Sequence, residues 1–156
     1  TGCDLLPDTV AVLSSHENII GLKESVADES RWQALYPLAS PGFSLLSGDD
    51  ETFVRAMIGG AHGVISVASN AVPATFARIC RYVSEQNFDA ALALDGQLQE
   101  LYAFLGVEPN PVPIKAIMKL LGFGRGLRLP LLSLSDDYTG KADEMTDLCK
   151  TIEQSM

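Results

Sequence analysis

Short apolar runs recur along the first half of the chain, each closed by a glycine or polar residue. Ile19, Ile20 and Leu22 lead to Lys23, Phe43, Leu45 and Leu46 lead to Ser47, and Val64, Ile65 and Val67 follow Gly63. Each run is too short for a helix and reads as a buried parallel strand, which places strands over 18–23, 43–47 and 63–67. Between the runs, apolar positions fall at helical spacing. Pro7 suits the first position of a helix running to about His16. Asp28 caps a helix carrying Trp32, Leu35 and Leu38, which Pro37 and Pro41-Gly42 bring to an end. Asp49 or Asp50 caps the next, through Phe53, Val54 and Met57 to Gly59-Gly60, and Pro73 opens another through Ile79 and Tyr82. A strand every 20–25 residues with a helix between is the mark of right-handed βαβ units and a parallel sheet.

After residue 85 the strand pattern stops. Leu92, Leu94, Leu98, Leu101 and Leu105 predict one long helix from Phe88 to Leu105. A proline-rich turn, Glu108 to Pro113, leads to a short helix ending at Gly122. A loop through Leu134 precedes a last amphipathic helix capped at Ser135. The expected layout is a βα-repeat segment over 1–85 and a helical segment over 86–156.

Composition narrows the function classes. The 156 residues suffice for one domain with a real core, and 47% hydrophobic with 20% charged residues is ordinary for a soluble globular protein. No run of eighteen or more apolar residues suggests a membrane span, and no signal-peptide pattern suggests secretion, so a cytoplasmic protein is expected. The start at Thr1 rather than methionine fits a fragment or a processed product. A net charge of −9 argues against nucleic acid. The nearest thing to a basic patch is Lys115, Lys119, Arg125 and Arg128, diluted by apolar residues. Cys3, Cys80 and Cys149 lie far apart, which fits reduced, buried thiols rather than a disulfide frame. With only His16 and His62 beside them, no metal site can be assembled.

The candidate chemistry centres on Lys23. A lysine at a strand's carboxyl end can snorkel to solvent, or it can sit in an apolar pocket where desolvation favours the neutral, nucleophilic amine. Ser47-Gly-Asp-Asp50 stands at the end of the second strand. Its carboxylates read best as turn and cap residues, while Gly48 lets a ligand approach the backbone. Gly59-Gly-Ala-His-Gly63 precedes a strand instead of opening a helix, so it is no phosphate cradle, and His62 reads as a turn or core histidine. Gly122-Phe-Gly-Arg-Gly126 reads as a flexible loop in the wrong context for a dinucleotide fingerprint. No Gly-x-Ser-x-Gly element supports a serine hydrolase.

Gly21-Leu-Lys-Glu-Ser25, Leu45-Leu-Ser-Gly-Asp-Asp50, Gly60-Ala-His-Gly-Val-Ile-Ser-Val67 and Val107-Glu-Pro-Asn-Pro111, in this order, resemble the dihydrodipicolinate synthase family. That family belongs to the pyruvate-dependent class I aldolases, with N-acetylneuraminate lyase. Thr1-Gly-Cys-Asp-Leu5 resembles the stretch after the family's fifth barrel strand, and Leu127-Arg-Leu-Pro130 its C-terminal region. The Ser-Gly-Asp-Asp and Glu-Pro-Asn-Pro elements favour the synthase over the lyase.

The resemblance implies an α/β fold, the C-terminal part of a (β/α)8 TIM barrel (strands six to eight), followed by a helical C-terminal region. It implies that Lys23 forms a Schiff base with pyruvate and that the enamine attacks aspartate semialdehyde, on the route to diaminopimelate and lysine. Ile65 matches an isoleucine whose backbone carbonyl faces the pocket, and Gly48 a glycine near the substrate. No metal or other cofactor is implied, because the lysine iminium is itself the electron sink. The partners implied are the missing N-terminal half of the barrel and further copies in a homotetramer, with no nucleic acid and no membrane. A full barrel needs about 250 residues, so the family's proton relay and carboxylate-binding threonines have no counterpart here, and the chain alone is expected to be inactive. Two other readings stand beside this one: another pyruvate-dependent aldolase or lyase of the superfamily, and a non-catalytic half-barrel module.

Overall fold

The computed structural model describes residues 2–155. By contact the chain groups into two compact units, Thr1–Ser66 and Val67–Met156. The division expected at residue 85 follows the βα repeat, whereas the contact grouping assigns the helix after the third strand to the second unit.

The first unit alternates helix and strand as α1 (Pro7–Leu13), β1 (Gly21–Glu24), α2 (Glu29–Leu35), β2 (Ser44–Ser47), α3 (Phe53–Gly59) and β3 (Gly63–Val64). The strands form one parallel sheet in the order β1-β2-β3. Gly21 to Glu24 pair with Ser44 to Ser47, and Leu46 and Ser47 pair with Gly63 and Val64. Pro7 does open α1, and the Asp28 carboxylate accepts from the Arg31 N–H at 2.9 Å, capping α2 as expected. The third strand is shorter than predicted. One more bond, from Ile65 N–H to the Ser47 carbonyl at 2.8 Å, continues it before the chain turns at Ala68–Asn70.

The cap of α3 differs from expectation. Thr52 is its cap residue, and the Asp49 carboxylate instead accepts from the Thr52 N–H at 3.0 Å and its hydroxyl at 2.6 Å. Asp49 therefore shapes the turn between β2 and α3, in keeping with its expected role as a turn residue. His62 is a turn histidine: its N–H donates to the Leu45 carbonyl at 2.7 Å, and its Nδ1 accepts from the Leu45 N–H at 3.2 Å.

The core of this unit lies on the helix side of the sheet. Val10, Trp32, Leu35, Phe43, Leu45, Ala56 and Ala61 cluster there, with Leu22 packed against them. Side chains alternate across a strand, so Leu22 and Leu45, which are register partners, share the buried face. The Trp32 indole N–H is satisfied by the Val26 carbonyl at 3.0 Å, which makes a buried tryptophan affordable here.

The second unit is helical: α4 (Pro73–Ser84), α5 (Phe88–Asp95), α6 (Gln99–Leu105), α7 (Val112–Leu120) and α8 (Thr139–Gln154). The single long helix expected over 88–105 is broken by a tight turn at Gly96–Leu98. Gly96 is a poor helix former, and the buried Tyr102 hydroxyl donating to Asp95 at 2.9 Å fixes the join. Leu94, Leu98 and Leu101 are buried as the periodicity asked, but Leu92 is exposed. Ser135 does not cap α8: a short turn over Asp136–Tyr138 intervenes, and the Ser135 N–H donates to Glu108 at 3.0 Å.

A long-range contact closes this unit. Glu153, near the end of α8, accepts from the Ala74 and Thr75 N–H groups at 3.0 and 2.8 Å and from the Thr75 hydroxyl at 2.6 Å. Pro73 supplies no N–H, and α4 has no cap from its own flank, so the carboxylate of α8 serves its first turn.

Candidate active site

Lys23 is the third residue of β1, and its register partner on β2 is Leu46. Both point away from the helices, because Leu22 and Leu45 point toward them. Gly63 pairs with Leu46 and carries the same face onto β3, where Ile65 is the next position of that phase. This face is open among the described residues. Lys23 is exposed, and Ile65 is 50% exposed.

Of the two sequence readings of Lys23, the exposed one describes it among the described residues of this chain. Leu22, Leu45 and Val64 share the helix-side phase and do not line this face. Leu45 has 0% exposure, and the open face instead carries Leu46 and Ile65. A slip of one residue exchanges the two faces of a strand, which is why a run apolar at every position did not reveal its phase.

Gly48 follows β2, and its N–H donates to the Glu24 carbonyl at 2.7 Å. A Cβ on Gly48 would overlap Ser25 Oγ and Lys23 Cε and would stand 3.1 Å from Lys23 Cγ. Only glycine leaves room for the lysine stem at this position. Lys23, Gly48 and Ile65 are thus brought to the carboxyl ends of three adjacent parallel strands. In α/β sheets this edge is where ligands gather.

Beneath Lys23, on the helix side, Glu24 is 5% exposed. Its carboxylate pairs with the Arg31 guanidinium and accepts from the Val26 N–H at 2.8 Å. Arg31 also donates to Asp4 at 3.0 Å and to the Leu5 carbonyl at 2.7 Å. One arginine therefore ties the end of β1 to the segment before α1, and its two carboxylate partners hold its charge above the usual guanidinium range. The sequence reading missed this clamp. Charge spacing alone could not reveal it, because Asp4 and Arg31 are 27 residues apart.

Of the sparse basic residues, Lys115 is half-buried and Lys119 exposed on α7. They line a cavity of about 250 Å³ in the second unit, with Val112, Leu127, Leu134 and Ala142. The thiols differ from expectation in one respect: Cys149 is buried and Cys80 half-buried, but Cys3 is exposed. Among the described residues no helix is long and apolar enough to cross a membrane, and no three His, Cys, Asp or Glu residues group to hold a metal.

Comparison with known proteins places this geometry. The 4-hydroxy-tetrahydrodipicolinate synthase of Stenotrophomonas maltophilia is 48% identical over 145 residues, which is 93% of this chain and 49% of that protein. The enzyme of the same name from Xanthomonas axonopodis pv. citri is 50% identical, with 93% and 48% covered. The chain thus spans about half the length of the curated relatives it matches. Among solved structures, dihydrodipicolinate synthase of Acinetobacter baumannii, determined with pyruvate, aligns with a TM-score of 0.89 at 32% identity, over 96% of this chain and 52% of that one. The Aquifex aeolicus enzyme aligns with a TM-score of 0.87 at 34% identity, over 92% and 50%. The model of the dihydrodipicolinate synthetase family matches residues 1–149. With Lys23 and Gly48 set at the strand ends and a family match over nearly its whole length, this chain belongs to the dihydrodipicolinate synthetase family.

Proposed function

We propose that the chain is the C-terminal portion of a dihydrodipicolinate synthase, carrying strands six to eight of a (β/α)8 barrel and the helical region that follows. In the whole protein the Lys23 amine adds to the C2 carbonyl of pyruvate, and loss of water leaves an iminium. Removal of a methyl proton gives the enamine, whose carbon attacks the aldehyde of aspartate semialdehyde. The iminium takes up the electron pair at each stage, so the reaction needs no metal. In this reading the enzyme is cytoplasmic, assembles as a homotetramer and serves lysine and diaminopimelate synthesis.

The observation that carries the reading is the seat of Lys23. It stands on the open face at a strand end, its stem laid over a glycine that admits no side chain. The relatives' name supports the choice of synthase, and the pyruvate bound to the Acinetobacter baumannii enzyme supports the keto acid.

The test is borohydride reduction of the full-length protein with pyruvate, followed by peptide mass spectrometry. A lactyl-sized adduct on Lys23 is expected. Label on Lys115 or Lys119 instead would overturn the assignment.

A further inference from the structure

We infer that the Ser25 hydroxyl is a further substrate-contacting group, which holds the keto acid's carbonyl oxygen while the Lys23 amine adds to it. The inference rests on the Schiff-base reading of Lys23 and adds a residue to it.

Three observations converge on Ser25. It lies two positions after Lys23, so strand alternation returns its side chain to the same open face. Its Oγ and Lys23 Cε both meet the one point that a Cβ of Gly48 would occupy, so the hydroxyl stands beside the end of the lysine side chain. Ser25 is also exposed, and its Oγ has no hydrogen-bond partner among the described residues. A hydroxyl placed next to an amine and left free to rotate can donate to whatever oxygen that amine's target carries.

Its place in the reaction follows from the bookkeeping of atoms. As the neutral amine nitrogen bonds to the carbonyl carbon, the C=O π pair moves to oxygen, where negative charge develops. A donor at that oxygen is stabilising there and not in the free keto acid, which is the condition for lowering a barrier. One nitrogen proton passes to that oxygen to give the carbinolamine, and a second proton, taken from solvent at the exposed site, lets the hydroxyl leave as water when the iminium forms. Ser25 gives and takes no net proton; it donates a hydrogen bond throughout. Glu24 and Val26, its neighbours, are fixed on the helix side by Arg31 and Trp32, so the turn that presents Ser25 is held.

The experiment compares Ser25→Ala and Ser25→Thr with the wild type in the full-length protein. The readouts are the rate of pyruvate trapping by borohydride, kcat, and KM for each substrate. Ser25→Ala is expected to slow trapping about tenfold, with the KM for aspartate semialdehyde and the thermal midpoint unchanged. Ser25→Thr, which keeps the hydroxyl, recovers most of the loss. Equal trapping rates in all three proteins would overturn the role of Ser25 while leaving Lys23 in place. Absence of any adduct on Lys23 in the wild type would instead overturn the reading on which it rests. A Ser25→Thr rate as low as that of Ser25→Ala also counts against the hydroxyl.

Discussion

Gly48 lies directly beneath the Lys23 side chain, so close that a single added carbon would overlap Lys23 Cε and stand 3.1 Å from its Cγ. The obstructing atoms are the mobile ends of side chains. Gly48→Ala is therefore expected to move Lys23 and Ser25 rather than the backbone. In the full-length enzyme activity should fall on the order of a hundredfold, as for a misplaced reacting group, with little change in thermal stability. Gly21→Ala is the contrast. There a Cβ would overlap the Ser44 backbone carbonyl, which belongs to the sheet and cannot step aside. That variant should lose roughly 1–3 kcal/mol of stability in denaturant titration. Equal stability of the two variants would contradict this division.

The clamp under β1 makes a second prediction. The Arg31 side chain is 13% exposed and that of Glu24 6%. Replacing Arg31 by Met leaves a buried carboxylate without its countercharge, a loss of about 3 kcal/mol. Exposed pairs such as Lys150–Asp147 should contribute no more than about 0.5 kcal/mol. Denaturation midpoints of Arg31→Met and Lys150→Met, measured side by side, decide the ranking.

Much of the first unit was legible in the sequence because its signals are local. Pro7, the Asp28 cap and the glycine stop after α3 each act within one turn, and each was found where it was expected. The parallel order followed from the βα alternation. The phase of the strands was not legible, since Leu22, Leu45 and Val64 sit in runs with no polar alternation to mark a face. Charge did not mark it either, since Lys23 and Glu24 are adjacent charged residues on opposite faces, one exposed and one buried. The cap of α4 was invisible for another reason, as Glu153 lies 78 residues from Thr75. The break at Gly96 was masked by leucines that kept helical spacing on both sides of it.

The thiols should react in the order Cys3, Cys80, Cys149. Cys3 is exposed, burial raises the Cys80 thiol, and burial with the nearby Glu153 carboxylate pushes Cys149 up to about 11. At pH 8 the Cys149 thiolate is scarce, so alkylation should reach it only after unfolding. Mass spectrometry after timed labelling gives the order. Early labelling of Cys149 would show that α8 is not seated as described.

The isolated 156-residue chain should turn over no pyruvate with aspartate semialdehyde. Lys23 is exposed in it, and on the proposed reading it is a nucleophile parted from the groups that bind and protonate its substrate, which removes nearly all of the rate enhancement. Turnover by the purified chain near the rate of a full-length synthase would show that the site has been misplaced.

The open side of the sheet makes the last prediction. β1 and β3 are the outer strands of a three-stranded sheet, so each has an edge of backbone groups unpaired within it. Beside them stand apolar side chains in water: Ile65 at 50% exposure and Ile20, just before β1, at 75%. Unpaired edges next to exposed β-branched residues favour association, whereas a closed barrel would bury both. The isolated chain should therefore bind a hydrophobic dye and elute above its 16.7 kDa mass on size exclusion. Ile20→Lys with Ile65→Lys should reduce both effects, because charge at exposed positions beside the sheet edges opposes association. Co-expression with the N-terminal half of a family barrel should abolish dye binding without any substitution. A monomer that melts cooperatively and binds no dye would show that the three strands and their helices are sufficient by themselves, and that the open face needs no cover.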